Sequence, residues 1–267
     1  MPTERINLIG VPYDAKSSFL KGPSAAPAAI REVLFSGASN LFSETGVNLG
    51  SVDGFRDTVD LEIQNSGAGF CTIAEKASKI LSKSTRPIFL GGDHSITFPL
   101  VDAMTQFHRP STIIHFDAHP DLYDEFEGDR FSHACPFARI MESGLTDRLI
   151  QIGIRTVNDH QREQAEKFGV EMFELPDFPS NLGFSKGDAV YISLDLDVFD
   201  PAFVPGISHH EPGGMTVREV IGLIHGINAP IVGADLVELN PQRDLNSVTA
   251  AVAAKMVKEI AGKMVTY

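Results

Sequence analysis

The sequence predicts an α/β fold, a mostly parallel sheet with helices packed over it. Three observations predict this. Short apolar runs alternate along the chain with helix-length segments, the order that builds parallel sheets. Three of the runs end in clusters rich in Gly, Asp and His, and open parallel sheets bind ligands beyond the carboxyl ends of their strands. No Pro/Gly/Ser linker, internal repeat or low-complexity tract divides the 267 residues, so a single domain over 1–267 is expected.

The elements follow in order. Residues 6–11 read as a strand, and 27–35 as a helix with apolar Ile30, Val33 and Leu34. A second helix is expected over 70–81, then a short buried strand over 87–90 that stops at Gly91-Gly92. Residues 96–107 read as helix and the apolar run 112–116 as strand. A helix over 133–141, a strand over 149–154 and a helix over 160–168 continue the alternation. Strand 189–194, helix 217–227 and strand 231–236 follow. In the closing segment 247–264, Val248, Val252, Met256 and Ile260 recur every four residues, a core-facing helical stripe.

Composition excludes several functions. With 22 Lys+Arg against 35 Asp+Glu, the formal net charge is −13. Such a surface repels phosphate backbones, so no nucleic-acid partner is expected. An anionic membrane surface is disfavoured for the same reason, and the apolar runs fall far short of the ~20 residues a membrane helix needs. A small cationic partner is favoured by the long-range field. The opening ten residues lack a basic stretch followed by a long apolar run, so no secretory signal is read. Cys71 and Cys135 are too few for a disulfide framework and form no CxxC, which makes a reducing cytoplasm the expected setting.

The strand ends carry the chemistry. Strand 87–90 runs into Gly91-Gly92-Asp93-His94-Ser95, strand 112–116 into Asp117-Ala118-His119-Pro120-Asp121, and strand 189–194 into Asp195-Leu196-Asp197. A strand points residues i and i+2 to one face, so Asp117 pairs with His119 and Asp195 with Asp197. A straight strand would carry Asp121 roughly 13 Å from Asp117, at ~3.3 Å per residue. Pro120 tends to end a strand, so a turn there can bring Asp121 back. Gly91-Gly92 lets the backbone pass close to a site and turn, which would aim His94 inward.

His94, Asp117, His119, Asp121, Asp195 and Asp197 form a set of two imidazoles and four carboxylates. One tetrahedral ion cannot use them all, but two ions with shared carboxylates, about 3.5–4 Å apart, can. Mixed N/O ligation without thiolate points first to Mn²⁺, with Fe, Co, Ni and Zn open. A single Asp at a strand end is also a natural helix N-cap. Capping does not explain three such clusters in one chain.

GGDHS at 91–95, DAHPD at 117–121 and SLDLDVFDP at 193–201 resemble the signature motifs of the ureohydrolase superfamily, which includes arginase and agmatinase. Segments 17–32, 124–142, 206–216 and 233–244 extend the resemblance over nearly the whole chain, most closely toward plant-type arginases. The resemblance implies a three-layer arginase-like α/β sandwich that assembles as a trimer or hexamer. It implies one ion on His94, Asp117, Asp121 and Asp195, and a second on Asp117, His119, Asp195 and Asp197. It also implies hydrolysis of a small cationic guanidino compound to urea and an amine, by water that two divalent ions activate. The leaving amine needs a proton donor near the cluster, and the resemblance assigns His133. The guanidinium needs an orienting carboxylate, and the resemblance assigns Glu238, with Asp235 ranked second. Asp93 can orient a ligand, Asp200 before Pro201 suits a turn, and His115 is either a ligand-orienting or a plain buried histidine.

Arginine is the first-choice substrate, giving ornithine and urea. Agmatine, guanidinobutyrate, formiminoglutamate and guanidine remain open. A carboxylate-bearing substrate needs donors at the rim, and the candidates are Arg130, Ser132, His209 and His210. Asp124, Glu125 and Glu127 would instead attract an amine. A two-metal phosphoesterase is disfavoured, because phosphate sites add Lys/Arg clamps and no basic residue flanks the ligand clusters before Arg130. A catalytically weak regulatory subunit is opposed by the intact ligand set.

Overall fold

β-branched and aromatic runs, buried on both faces, build the sheet. The computed structural model describes residues 5–266 other than 180, 181 and 186, so the first four residues lie outside the described ones. The strands are β1 (Arg5–Gly10), β2 (Phe55–Asp57), β3 (Thr85–Leu90), β4 (Thr112–Phe116), β5 (Arg148–Ile154), β6 (Glu171–Glu174), β7 (Val190–Asp195) and β8 (Ile231–Val237). They form one eight-stranded sheet in the order β2-β1-β3-β8-β7-β4-β5-β6. Every pairing between these strands is parallel.

Helices cover both faces: α1 (Ala26–Leu34), α2 (Gly67–Phe70), α3 (Ile73–Ile80), α4 (Thr97–Thr105), α5 (Pro136–Glu142), α6 (Asp159–Phe168), α7 (Val217–Gly226) and α8 (Val248–Thr266). Alternate residues of each strand serve opposite faces. Leu8, Ile88, Ile114 and Ile192 pack with Ile30 of α1, Ile224 of α7 and Ile260 of α8. Their neighbours Ile9, Phe89, Ile113 and Tyr191 pack with Ile73 of α3, Leu100 of α4 and Phe137 of α5. The result is the expected three-layer sandwich.

Four elements differ from those the sequence predicts. The helix expected over 70–81 is broken: α2 is capped by Ser66, and the chain leaves helical register at Cys71-Thr72 before α3 begins. The helix expected over 133–141 starts only at Pro136, a residue suited to the first helical turn, which leaves His133 on the preceding loop. β2 and β6 were not expected. Both are short edge strands with no fully buried residue, so neither shows an apolar run.

Candidate metal and substrate site

The four central strands, in the spatial order β3-β8-β7-β4, deliver the polar clusters side by side. Past β3 the chain passes so close to the N-terminal loop that a Cβ on Gly92 would lie 1.6 Å from the Tyr13 carbonyl oxygen. The adjacent Asp93 N–H donates to that carbonyl at 2.9 Å. Neither Gly91 nor Gly92 has a positive φ, so the pair supplies room rather than a sharp turn. Past β4, Asp121 adopts φ +49°, a left-handed conformation uncommon for a residue with a side chain. That turn brings its carboxylate back to the cluster.

His94 Nδ1 lies 3.1 Å from Asp117 Oδ2, 3.1 Å from Asp121 Oδ2 and 3.2 Å from Asp195 Oδ2. His119 Nδ1 lies 2.9 Å from Asp197 Oδ2 and 3.3 Å from Asp117 Oδ1. All six expected ligand residues therefore meet, with Asp117 between the two imidazoles. Two aspartates also cap backbone, each with its other oxygen: Asp195 Oδ1 accepts from the Asp197 N–H at 2.8 Å, and Asp197 Oδ1 from the Ala118 N–H at 2.9 Å. Capping and ligation are thus compatible within one side chain.

The donor set fits divalent cations. His94 Nδ1 is fully buried and near three carboxylate oxygens, yet aligned for a hydrogen bond to none of them. Burial, Asp197 and Asp117 hold the Asp195 carboxyl well above the usual carboxylate range, and burial with Asp117 lifts Asp197 to about 6. Burial also works against ionising Asp117, but His115, His119 and His94 outweigh it and hold that group well below the usual range. Burial likewise disfavours charge on His94 and His119, and the surrounding aspartates more than reverse it. Packed carboxylates that resist joint ionisation are stabilised by added positive charge. Asp117, His119 and Asp197 form one compact donor group, and His94, His115 and Asp117 another.

Outer groups orient these ligands. Ser193 Oγ donates to Asp235 Oδ1 at 2.7 Å, so it accepts from His94 Nε2 at 3.0 Å and Nδ1 is turned toward the carboxylates. Asp235 also accepts from the Tyr191 and Thr97 hydroxyls. This corrects its ranking as a guanidinium partner: it lies in register with Ser193 inside the sheet. Its neighbour Gly233 is mid-strand, where a Cβ would meet the Met104 side chain. Asp93 anchors a loop, accepting from the Lys16 N–H at 2.9 Å and the Ser17 hydroxyl at 3.2 Å. Asp200 accepts from the Ala202 and Gly213 N–H groups, as a turn residue does.

A cavity of about 180 Å³ opens beside the cluster, lined by His119, Asp121, His133 and His209 together with Ser18, Tyr123, Phe126, Ala134 and Gln161. Glu238 lies behind this lining with φ +65°. Its Oε1 accepts from the His94 N–H at 2.9 Å and is 3.5 Å from His133 Nδ1, while the buried Oε2 has no partner. Burial lowers the His133 pKa, but Glu238, with help from Asp121 and Asp93, outweighs it and raises the value to about 9. His209 stacks on His133 with ring centres 5.3 Å apart.

The other rim candidates are elsewhere. Arg130 pairs with Asp124 at 2.9 Å and Glu142 at 3.0 Å. Ser132 is buried, and its hydroxyl accepts from the Ala134 N–H. His210 Nε2 lies 3.0 Å from the Pro205 carbonyl and faces a separate hollow with Gln242 and Arg243. None of the three lines the cavity. The sequence reading missed Ser18, whose hydroxyl is 2.8 Å from His133 Nε2, and Gln161 of α6. It also missed Arg155, whose guanidinium binds the Asp197 and Glu211 carbonyls at 2.6 Å and so ties the β7 turn to the His209 loop. Ser18 lies within segment 17–32; Gln161 and Arg155 carried no signal beyond an ordinary helix and strand end.

Comparison with known proteins agrees with this geometry. Residues 4–262 match the Arginase family. The chain is similar to "Arginase 1, mitochondrial" of Arabidopsis thaliana, 45% identical over 275 residues that cover 97% of this chain and 80% of that one. It is also similar to an agmatinase of Bacillus cereus, 32% identical over 263 residues, 96% of this chain and 90% of that one. The fold matches a solved arginase from Medicago truncatula with a TM-score of 0.92 at 41% identity, covering 98% of this chain and 88% of that one. This chain belongs to the arginase family.

Proposed function

We propose that this ureohydrolase converts L-arginine to L-ornithine and urea at a centre of two divalent cations, Mn²⁺ first among them. The single observation that carries the reading is the unpaired, buried Glu238 Oε2 beside His133 and the six-residue cluster. A buried carboxylate oxygen without a partner is costly, and a guanidinium relieves it. Identity of 45% to a plant arginase supports arginine as the guanidino compound.

His94, Asp117, Asp121 and Asp195 would hold one cation, and Asp117, His119, Asp195 and Asp197 the other. Such a centre supplies Lewis acidity and an activated water. The chain's own residues do the rest. Glu238 receives the guanidinium and fixes its plane. His133, held protonated by Glu238 and bonded to Ser18, carries the proton that the leaving amine needs. Tyr123 and Phe126 flank the substrate's methylene chain and exclude water. By the same family membership we propose a homotrimer or homohexamer. The two unpaired cysteines favour a reducing cytoplasm.

Agmatine is the second reading, favoured by one observation. Among the described residues, no Lys or Arg side chain lines the cavity, so a substrate carboxylate would meet only neutral donors and histidines. Urea release by the Mn²⁺-loaded protein from arginine, agmatine, guanidinobutyrate and guanidine separates the readings. Arginine is expected to give the highest kcat/KM. Preference for agmatine would install the second reading, and no urea from any of them would refute both.

A further inference from the structure

Gln151 of β5 is fully buried and lies on a strand that supplies none of the six cluster residues. Its amide nitrogen is 2.6 Å from the Pro120 carbonyl oxygen and 3.0 Å from His115 Nδ1. A carbonyl only accepts, so the amide atom that faces Pro120 is the nitrogen, and the amide cannot be flipped. The other N–H of that group then donates to His115 Nδ1, which must act as an acceptor. The ring proton of His115 therefore sits on Nε2, 2.7 Å from Asp117 Oδ2. The ring cannot swing away, because it stacks on Phe137 with centres 3.8 Å apart and meets the edge of His94 at 5.0 Å. Holding this orientation leaves Gln151 Oε1 buried with no partner, so the two donated bonds are what fix the amide.

We infer that Gln151 and His115 are positioning residues for the metal centre. One amide holds the Nδ1 side of the His115 ring, whose Nε2–H aims Asp117, and, through the Pro120 carbonyl, pins the turn that returns Asp121 to His94. Two of the three carboxylates around His94 Nδ1 thus depend on one neutral side chain. The inference rests on the two-cation reading of the site.

The test uses Gln151→Met, which keeps length and volume but removes both N–H donors, and His115→Phe, which keeps the stacked ring but removes its donor. Calorimetric titration of Mn²⁺ into each chelator-stripped protein is expected to show about 10–100-fold weaker binding than the parent, the usual loss when a ligand-orienting group is removed. Nitrogen-15 NMR of the metal-free parent is expected to show His115 with its proton on Nε2 and a hydrogen-bonded, unprotonated Nδ1, whose nitrogen shift moves in Gln151→Met as that bond is lost. Unchanged Mn²⁺ affinity in both variants, or a proton on Nδ1 in the parent, would overturn the inference. If Gln151→Met does not fold, His115→Phe decides by the same titration. A parent that takes up no Mn²⁺ refutes the two-cation reading instead, and the NMR comparison on metal-free protein still decides whether Gln151 sets His115.

Discussion

His133 holds its proton more firmly than a free imidazole, chiefly because of Glu238, with Asp121 and Asp93 adding to it. Burial alone would drive the proton off, but Glu238 at 3.5 Å outweighs it and the pKa rises to about 9. The group is then charged at neutral pH, as a proton donor to a leaving amine must be. His133→Asn is expected to lower turnover about 10²–10⁴-fold while Mn²⁺ affinity stays unchanged; equal turnover would move the proton transfer to another group. The sign of the pH effect follows from linkage. A histidine whose folded pKa is raised contributes stability that is fully present below its unfolded value and is lost as pH rises through the folded one. The stability gap between metal-free parent and His133→Asn is therefore expected to be widest below about pH 6.5 and to close above about pH 9, as read by urea unfolding. A gap that widens with pH would contradict the pairing with Glu238.

At the scale of elements, the site works because four neighbouring strand ends are held at fixed heights. Gly92 is one such control point, with the Tyr13 carbonyl where its Cβ would be. Gly92→Ala must push the β3 end away from the Tyr13 loop and carry His94 with it. It is expected to cost about 1–3 kcal/mol or more in urea unfolding and to weaken Mn²⁺ binding. Parental stability and affinity together would mean that this approach is not what places His94. From the sequence, the ligand clusters could be placed at the ends of β4 and β7, and the return of Asp121 read from Pro120, but not by strand alternation: Asp117 and His119 lie past β4, and Asp197 sits in a 3-10 turn past β7. Edge strands β2 and β6 could not be read, because only one flank of each is paired and their residues need not be apolar. Ser18, Gln161 and Gln151 come to the site from separate elements, and local pattern does not report such meetings.

For the molecule as a whole, the net charge of −13 has two components. Part is local: four aspartates lie within one cluster and Glu238 lies beside it, all buried. Asp14, Asp93, Asp235 and Glu259 are buried as well, and most of the remainder is at the surface, where it favours a cationic substrate and disfavours nucleic acid. The three layers bury the cluster at the carboxyl edge of the sheet and leave the cavity as its opening. This architecture was legible because the chain alternates strand and helix from Arg5 to Thr266. The rim was less so. Arg130 looked like a free cation in the sequence, but Asp124 and Glu142 already hold it. We propose that the six side chains of the cluster form one centre for two cations. The most direct test is calorimetric titration of Mn²⁺ into chelator-stripped protein, with urea release from arginine followed at each step. Two ions bound per chain, with activity returning as they bind, are expected. Uptake of no ion, or undiminished urea release from the stripped protein, would contradict the proposal.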